Sequence, residues 1–167
     1  MIITTPVSND IIKGISIFDK IKIFGLLFTG RDAALPRLVE LIKKGEILKK
    51  GIDLKGSVLF HTAVSAAGIG PTSSNKKEIE SSLPILSKAG VKIHIGKGRL
   101  SNLTVDFLNE SNSIFAICPP VSALLSSVIR MKRVVAFPEE GIEAFHCLEV
   151  EGLPALVAIA HGKTIFQ

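Results

Sequence analysis

Tryptophan and tyrosine are absent from the 167 residues, and cysteine and methionine occur only twice each. With the nine Phe mostly inside apolar runs, few rings are free to stack on bases. A nucleic-acid surface is therefore not expected, despite a net charge of +5 and a pI near 9.3. Cys118 and Cys147 are far apart, and His61, His94, His146 and His161 are equally scattered. Neither set has a zinc spacing, so no metal held by this chain alone is expected, and buried free thiols are the default in a reducing compartment. Long apolar runs are missing as well. Ile21 to Phe28 contains Lys22, and Ile114 to Leu125 is interrupted by Pro119, Pro120 and Ser122, so neither reaches the roughly 20 apolar residues of a membrane span. The start, Met-Ile-Ile-Thr-Thr-Pro, has no basic region ahead of an apolar core. No signal peptide is read there, and a cytoplasmic location is expected.

What is present is apolar: 47% of residues, against 21% charged. That composition excludes disorder, and residues 1–167 read as one domain able to bury its own core. The positive excess gathers in Lys43, Lys44, Lys49, Lys50 and Lys55, a run that reads as the solvated end of a helix, where cations suit the dipole.

Taken in order, the first eighteen residues read as an irregular or edge segment. Lys20 to Phe28 reads as a strand, followed by Thr29-Gly30-Arg31-Asp32, in which Thr29 or Asp32 can cap a helix with Leu35, Leu38, Leu41 and Ile42 on one face. Ser57 to Val64 is read as a second strand, Asn75 to Lys88 as a helix with Ile79, Leu83 and Leu86 as its stripe, and Val91 to Ile95 as a third strand. A helix capped by Ser101 and a strand from Ser113 to Cys118 follow. Pro119 to Arg130 reads as a helix, Arg133 to Phe137 as a strand, Gly141 to Ala144 as a turn, and His146 to Val150, Ala155 to Ala160 and Lys163 to Phe166 as further strands around a tight turn at His161-Gly162. The alternation predicts an α/β fold with a mixed sheet, antiparallel at its short-looped end.

Three stretches then fall beyond the carboxyl ends of strands, where ligands gather in such sheets. They are Thr29 to Asp32, Gly68-Ile69-Gly70-Pro71-Thr72-Ser73-Ser74-Asn75-Lys76-Lys77, and Gly96-Lys97-Gly98. The middle one reads as a glycine- and hydroxyl-rich turn entering a helix. Free N–H groups at the helix start, hydroxyls and lysines would together hold an anion, most simply a carboxylate; simple helix capping by Ser74 or Asn75 is the alternative. Neither glycine turn has the order of a phosphate-binding loop, and the dinucleotide fingerprint fails because Ser73 stands at its third glycine.

Together these pieces resemble the C-terminal domain, or separate β subunit, of class I iron–sulfur fumarate hydratases and tartrate dehydratases. The resemblance rests on Thr29-Gly30-Arg31-Asp32-Ala33-Ala34 with Arg37, Gly70-Pro71-Thr72-Ser73, and Gly96-Lys97-Gly98-Arg99-Leu100-Ser101. A weaker match runs through Gly141-Ile142-Glu143-Ala144, Leu148-Glu149-Val150-Glu151 and Leu153-Pro154-Ala155. It implies a swivelling β/β/α domain working with an α subunit that carries a four-iron four-sulfur cluster on its own cysteines, with none of the cluster held here. The cluster would act as a Lewis acid, while this chain supplies charge and a base for reversible hydration of fumarate to malate. Thr72 and Lys97 would be catalytic, Thr72 at the position of the base, and Arg31, Ser73 and Lys76 would bind the dicarboxylate.

Three departures from the family pattern bear on the substrate. Leu35-Pro36 stands where a histidine is usual, Lys76 where an arginine is usual, and Lys77-Glu78 where Met-Asp is usual. Lysine cannot reproduce a bidentate arginine grip. Tartrate or another hydroxy acid is therefore the alternative substrate, and a non-catalytic anion-binding subunit the alternative role. The high apolar content predicts an extensive subunit interface, or a homodimer when the α subunit is missing.

Overall fold

The structure, a computed structural model, describes residues 1–166. In chain order its elements are β1 (Ile2–Thr4), α1 (Asn9–Lys13), β2 (Lys20–Thr29), α2 (Leu35–Lys43), β3 (Val58–Phe60), β4 (Thr62–Ser65), β5 (Gly68–Thr72), α3 (Lys76–Lys88), β6 (Ile93–Gly96), α4 (Asn102–Glu110), β7 (Ile114–Ile117), α5 (Ser122–Ser127), β8 (Ile129–Ala136), β9 (Phe145–Ala160) and β10 (Lys163–Thr164). Short 3-10 turns cover Leu48–Lys50 and Pro138–Glu143.

Strands β1, β2, β3, β6 and β7 are parallel neighbours in that order, and β9 runs antiparallel to both β2 and β7. Following the pairings from β2 through β3, β6, β7 and β9 returns to β2, so the mixed sheet closes on itself. Alternation sorts the side chains. Val58, Phe60, Ile93, Ile95, Ile114 and Ala116 join Ile21, Ile23, Leu27, Leu148 and Val157 in the inner core. Leu59 faces the other way and packs with Leu35, Leu38 and Leu86 of α2 and α3, while Phe115 packs with Ile79, Leu83, Val105 and Leu108 of α3 and α4.

The helices form where the periodic stripes place them. Asn75 caps α3 by accepting from the Glu78 N–H at 3.3 Å, and Ser101 caps α4 by accepting from the Thr104 N–H at 3.2 Å. Pro36 sits in the first turn of α2, where it costs no helical bond. Beyond the ring, β4 and β5 form a separate hairpin. Ser126 of α5 accepts from the Ile69 N–H at 3.1 Å, and Lys132 donates to the carbonyls of Ser65 and Ala66, which holds the hairpin tip. Strand β8 bonds to β9 on one side and leaves Arg130, Met131, Lys132, Arg133 and Val134 exposed.

Several expectations are corrected. The opening segment, read as irregular or edge, does supply the edge strand β1, and the short helix α1 after it is the part not foreseen. The run from Ser57 to Val64 is not one strand but breaks at His61, whose N–H donates to Ile95 while β4 turns away to its own hairpin. Gly68 to Thr72 is a strand, not part of a turn. Neither Thr29 nor Asp32 caps α2, whose N-cap is Ala34 with no side-chain bond. The helix read at Pro119 to Arg130 is only Ser122–Ser127, with Arg130 already in β8, and the last strand ends at Thr164. Finally, His146 to Val150 and Ala155 to Ala160 are one strand of 16 residues. Gly152, at φ +80°, is the extra residue of a bulge: Ile23 pairs with Leu153 and the next residue, Phe24, with Glu151.

Two glycines test the packing. Gly90 has φ +124°, and a Cβ there would lie 2.6 Å from the Lys55 Cα and 2.9 Å from the Leu54 carbonyl oxygen, both backbone atoms. Gly45 has φ +68° with nothing within 4 Å. Gly90→Ala should cost about 3 kcal/mol or more in urea unfolding, and Gly45→Ala about 1 kcal/mol. Equal costs would show that the Gly90 contact is not rigid.

Candidate functional site

The register of the parallel strands brings three chain exits to one edge. Thr29 pairs with Phe60 and Phe60 with Ile95, so Gly30 to Asp32, His61, and Gly96 to Gly98 leave the sheet side by side. The hairpin brings in the fourth piece. Thr72 pairs with Thr62, and the Ser73 N–H donates to the His61 carbonyl at 2.9 Å, so β5 ends beside the strand exits.

Arg31 is the centre of the polar contacts. Its Nη1 donates to the Pro71 carbonyl at 3.0 Å and its Nε to Glu143 Oε1 at 3.3 Å. Nη2 has no partner among the described residues. The Pro71 carbonyl also lies 3.2 Å from the Thr62 hydroxyl, which donates more closely to the Gly70 carbonyl at 2.8 Å. Thr72, directly after Pro71, is half-buried. Ser73 is buried and donates from Oγ to Asp32 Oδ1 at 2.9 Å; Asn75 Nδ2 lies 3.5 Å from Asp32 Oδ2. The start of α3 thus already faces a carboxylate of the chain itself, with Asn75 serving both it and the helix.

Lys76 and Lys97 complete the group. A Cβ on Gly98 would lie 3.1 Å from Lys76 Cε, so the Lys76 stem passes over the glycine next to Lys97. Both lysines are exposed, and neither has a hydrogen-bond or ion-pair partner among the described residues. Arg31, Thr72, Ser73, Lys76 and Lys97, drawn from three separate stretches, therefore belong to one neighbourhood. Its electrostatics are cationic on balance, because Arg31, Lys76 and Lys97 outnumber the two carboxylates, Asp32 held by Ser73 and Asn75 and Glu143 by Arg31. Arg37 stands aside: it pairs with Glu139 and Glu140, lies 4.3 Å over the Phe137 ring, and ties the Pro138–Glu143 turn to α2.

The residues of this chain do not fit an iron–sulfur cluster. Cysteine ligands bind as thiolates. Cys118 donates to the Pro154 carbonyl, and burial pushes its thiol up to about 12; burial also raises the Cys147 thiol, inside β9. Among the described residues no group of three or more His, Cys, Asp or Glu side chains is arranged to hold a metal. No helix is long and apolar enough to cross a membrane.

The family profile described as Fumarase C-terminus matches residues 2–167. The chain is 29% identical over 173 residues to the L(+)-tartrate dehydratase subunit beta of Shigella boydii serotype 4, covering 97% of this chain and 77% of that one. It is 29% identical over 156 residues to the anaerobic class I fumarate hydratase of Escherichia coli K12, covering 89% of this chain but 28% of that protein. With the aerobic class I fumarate hydratase of Salmonella typhimurium the identity is 26% over 156 residues, or 89% and 27% of the two chains.

Sequence reading missed a buried polar chain beneath the site. His61 Nε2 lies 3.2 Å from His94 Nδ1, and His94 Nε2 lies 2.8 Å from Ser87 Oγ. Thirty-three residues separate the two rings, and only the β3–β6 pairing brings them together. Burial pushes His61 down to about 4 from its ordinary 6.5, against the pull of the Asp32 carboxylate; burial and His61 hold His94 well below the same value. Both rings are neutral in the folded protein at pH 7. Unfolding lets them bind protons below about pH 6.5, so stability falls as pH drops from 6.5 towards 4 and is indifferent to this pair above 6.5. Each ring contributes a slope of up to about 1.4 kcal/mol per pH unit. Urea unfolding at pH 7, 6 and 5 should show a smaller decline for His61→Gln/His94→Gln than for wild type. Parallel declines would mean that the pair does not titrate this way.

Proposed function

Since the chain belongs to the Fumarase C-terminus family, we propose that it is the β subunit of a heteromeric iron–sulfur hydro-lyase that reversibly hydrates fumarate to malate. The observation that supports this reading is that Arg31, which donates to the carbonyl just before Thr72, and Lys76, whose stem passes over the glycine next to Lys97, come to one edge of the sheet. A cysteine-bearing α subunit holds the cluster, in keeping with the two protonated thiols of this chain.

The roles follow from charge and reach. Arg31 offers Nη2 to one substrate carboxylate, and Lys97 holds the other, with Lys76 beside it. Thr72 takes the proton from the carbon next to the hydroxyl-bearing carbon. The electron pair left on that carbon spreads into the adjacent carboxylate, where the fixed cations stabilise the added charge. It then forms the C=C bond as the neighbouring C–O bond breaks, and the hydroxide that leaves takes up the proton from Thr72 and departs as water. The same cations lower the cost of a threonine alkoxide, which an isolated hydroxyl could not sustain. Ser73, whose buried hydroxyl is given to Asp32, shapes the wall of the substrate site by holding that carboxylate back. In the reverse direction Thr72 returns the proton as water adds.

L-tartrate is the second reading, favoured by the match along 97% of the chain to an L(+)-tartrate dehydratase subunit beta. Lys76 suits it chemically, since an ammonium offers three donors that can serve a hydroxyl as well as a carboxylate.

The test is an anaerobic assay of this chain, alone and reconstituted with its cluster-loaded α subunit, on fumarate, malate and L-tartrate. Activity is expected only in the mixture. Thr72→Ala should lower kcat by about 100-fold or more, and Lys97→Met kcat/KM by about 100-fold. A cluster-loaded complex that binds these acids and converts none of them would replace the hydro-lyase with a non-catalytic anion-binding subunit.

A further inference from the structure

We propose that Glu143 is a positioning residue that sets Arg31 and, through Arg31, the end of β5 that carries Thr72. The inference rests on the hydro-lyase reading for its consequence in catalysis, but its geometry stands apart from that reading.

Arg31 and Thr72 belong to different layers of the protein. Arg31 leaves the closed sheet at the end of β2, whereas Thr72 ends a hairpin strand outside the ring. Pro71 has no N–H, so at this point of β5 the carbonyl is the backbone group available for anchoring. It takes the Arg31 Nη1 donor at 3.0 Å, and Thr62 reinforces it at 3.2 Å. A guanidinium is a rigid planar fork, so fixing one donor direction limits the others. Glu143 fixes Nε at 3.3 Å; both side chains of this pair are largely buried, at 22% and 28% exposure. With Nε and Nη1 held, the plane of the fork is determined and Nη2 is the edge left for an incoming carboxylate.

Glu143 itself is held in place. It ends the Pro138–Glu143 turn, and Arg37 binds that turn at Glu139 and Glu140 while covering Phe137. The result is a mechanical chain from α2 through the turn and Glu143 to Arg31, the Pro71 carbonyl and Thr72. The carboxylate also reduces the local positive charge, so Glu143 exchanges some attraction for the substrate anion for a single orientation of the cation that binds it.

The test uses the full chain labelled with 15N, reading the Arg31 Nε–H and the Thr72 amide in wild type, Glu143→Gln, Glu143→Ala, Arg31→Met and the Glu143→Ala/Arg31→Met pair. The Ile95 and Val157 amides report whether each variant is folded. Glu143→Ala and Arg31→Met should both displace the Thr72 amide, Glu143→Gln should restore most of the wild-type position because its amide oxygen still accepts from Nε, and the pair should add nothing to Arg31→Met alone. A Thr72 amide unmoved by Glu143→Ala, or moved as much by it when Arg31 is already gone, overturns the proposal. If Glu143→Ala does not fold, an unchanged Arg31 Nε–H and Thr72 amide in a folded Glu143→Lys variant overturns it equally. In the reconstituted complex, Glu143→Ala should lower kcat/KM about tenfold or more, with Glu143→Gln within about threefold of wild type. A complex inactive on every acid tried would sink the hydro-lyase reading, and the NMR result would still decide the positioning role.

Discussion

The ring of five strands is closed by β9, the one strand in it that runs antiparallel to both of its ring neighbours. Its first part lies along β2 and its last residues along β7. Leu156 pairs with Lys20 on one side and with Ile117 on the other. The bulge at Gly152 lets β9 turn, because an extra residue bends a strand and raises its twist, and a glycine takes the positive φ at no steric cost. Once β9 has closed the ring, the parallel strands are held in register on both sides. The exits of β2, β3 and β6 then sit together, which is why residues from distant stretches meet.

The same bulge explains what was hard to read beforehand. Leu148 and Val150 alternate with exposed residues, but the next core positions are Leu153, Ala155 and Val157, so the parity changes across Gly152. A period-two pattern that changes phase reads as two strands with a break. The parallel strands and the helices were legible because their signals are local: Ile79, Leu83 and Leu86 recur at helical spacing, and Asn75 and Ser101 cap as expected. The hairpin was not legible, because Gly70 and Pro71 are poor strand formers and look like a turn. Only the pairing with Thr62 and the tertiary ties of Ser126 and Lys132 make that segment a strand.

The candidate site shows the same division. That Arg31, Thr72, Ser73, Lys76 and Lys97 would share one neighbourhood was legible from unusual residues beyond strand ends. Their internal connections were not. Asp32 looked like a helix cap and instead engages Ser73 and Asn75, and the His61–His94–Ser87 chain has no sequence spacing at all. Both depend on which strands become neighbours. The charge balance also emerges only in three dimensions: two carboxylates are committed to fixed partners, and the two lysines are left to set the field at the mouth.

Strand β8 carries a different consequence. It adds to the outside of β9 and ends that side of the sheet, with Arg130, Lys132 and Arg133 exposed along it. An uncovered strand of this length, flanked by Met131 and Val134, would ordinarily be a template for stacking copies edge to edge. Lys132 and Arg133 make such stacking self-repelling, since two copies aligned along this strand would bring like charges together; Arg130 beside them is paired with Glu151. The basic stretch thus acts as a guard against aggregation, and the protection weakens wherever salt screens the charges over a few ångströms.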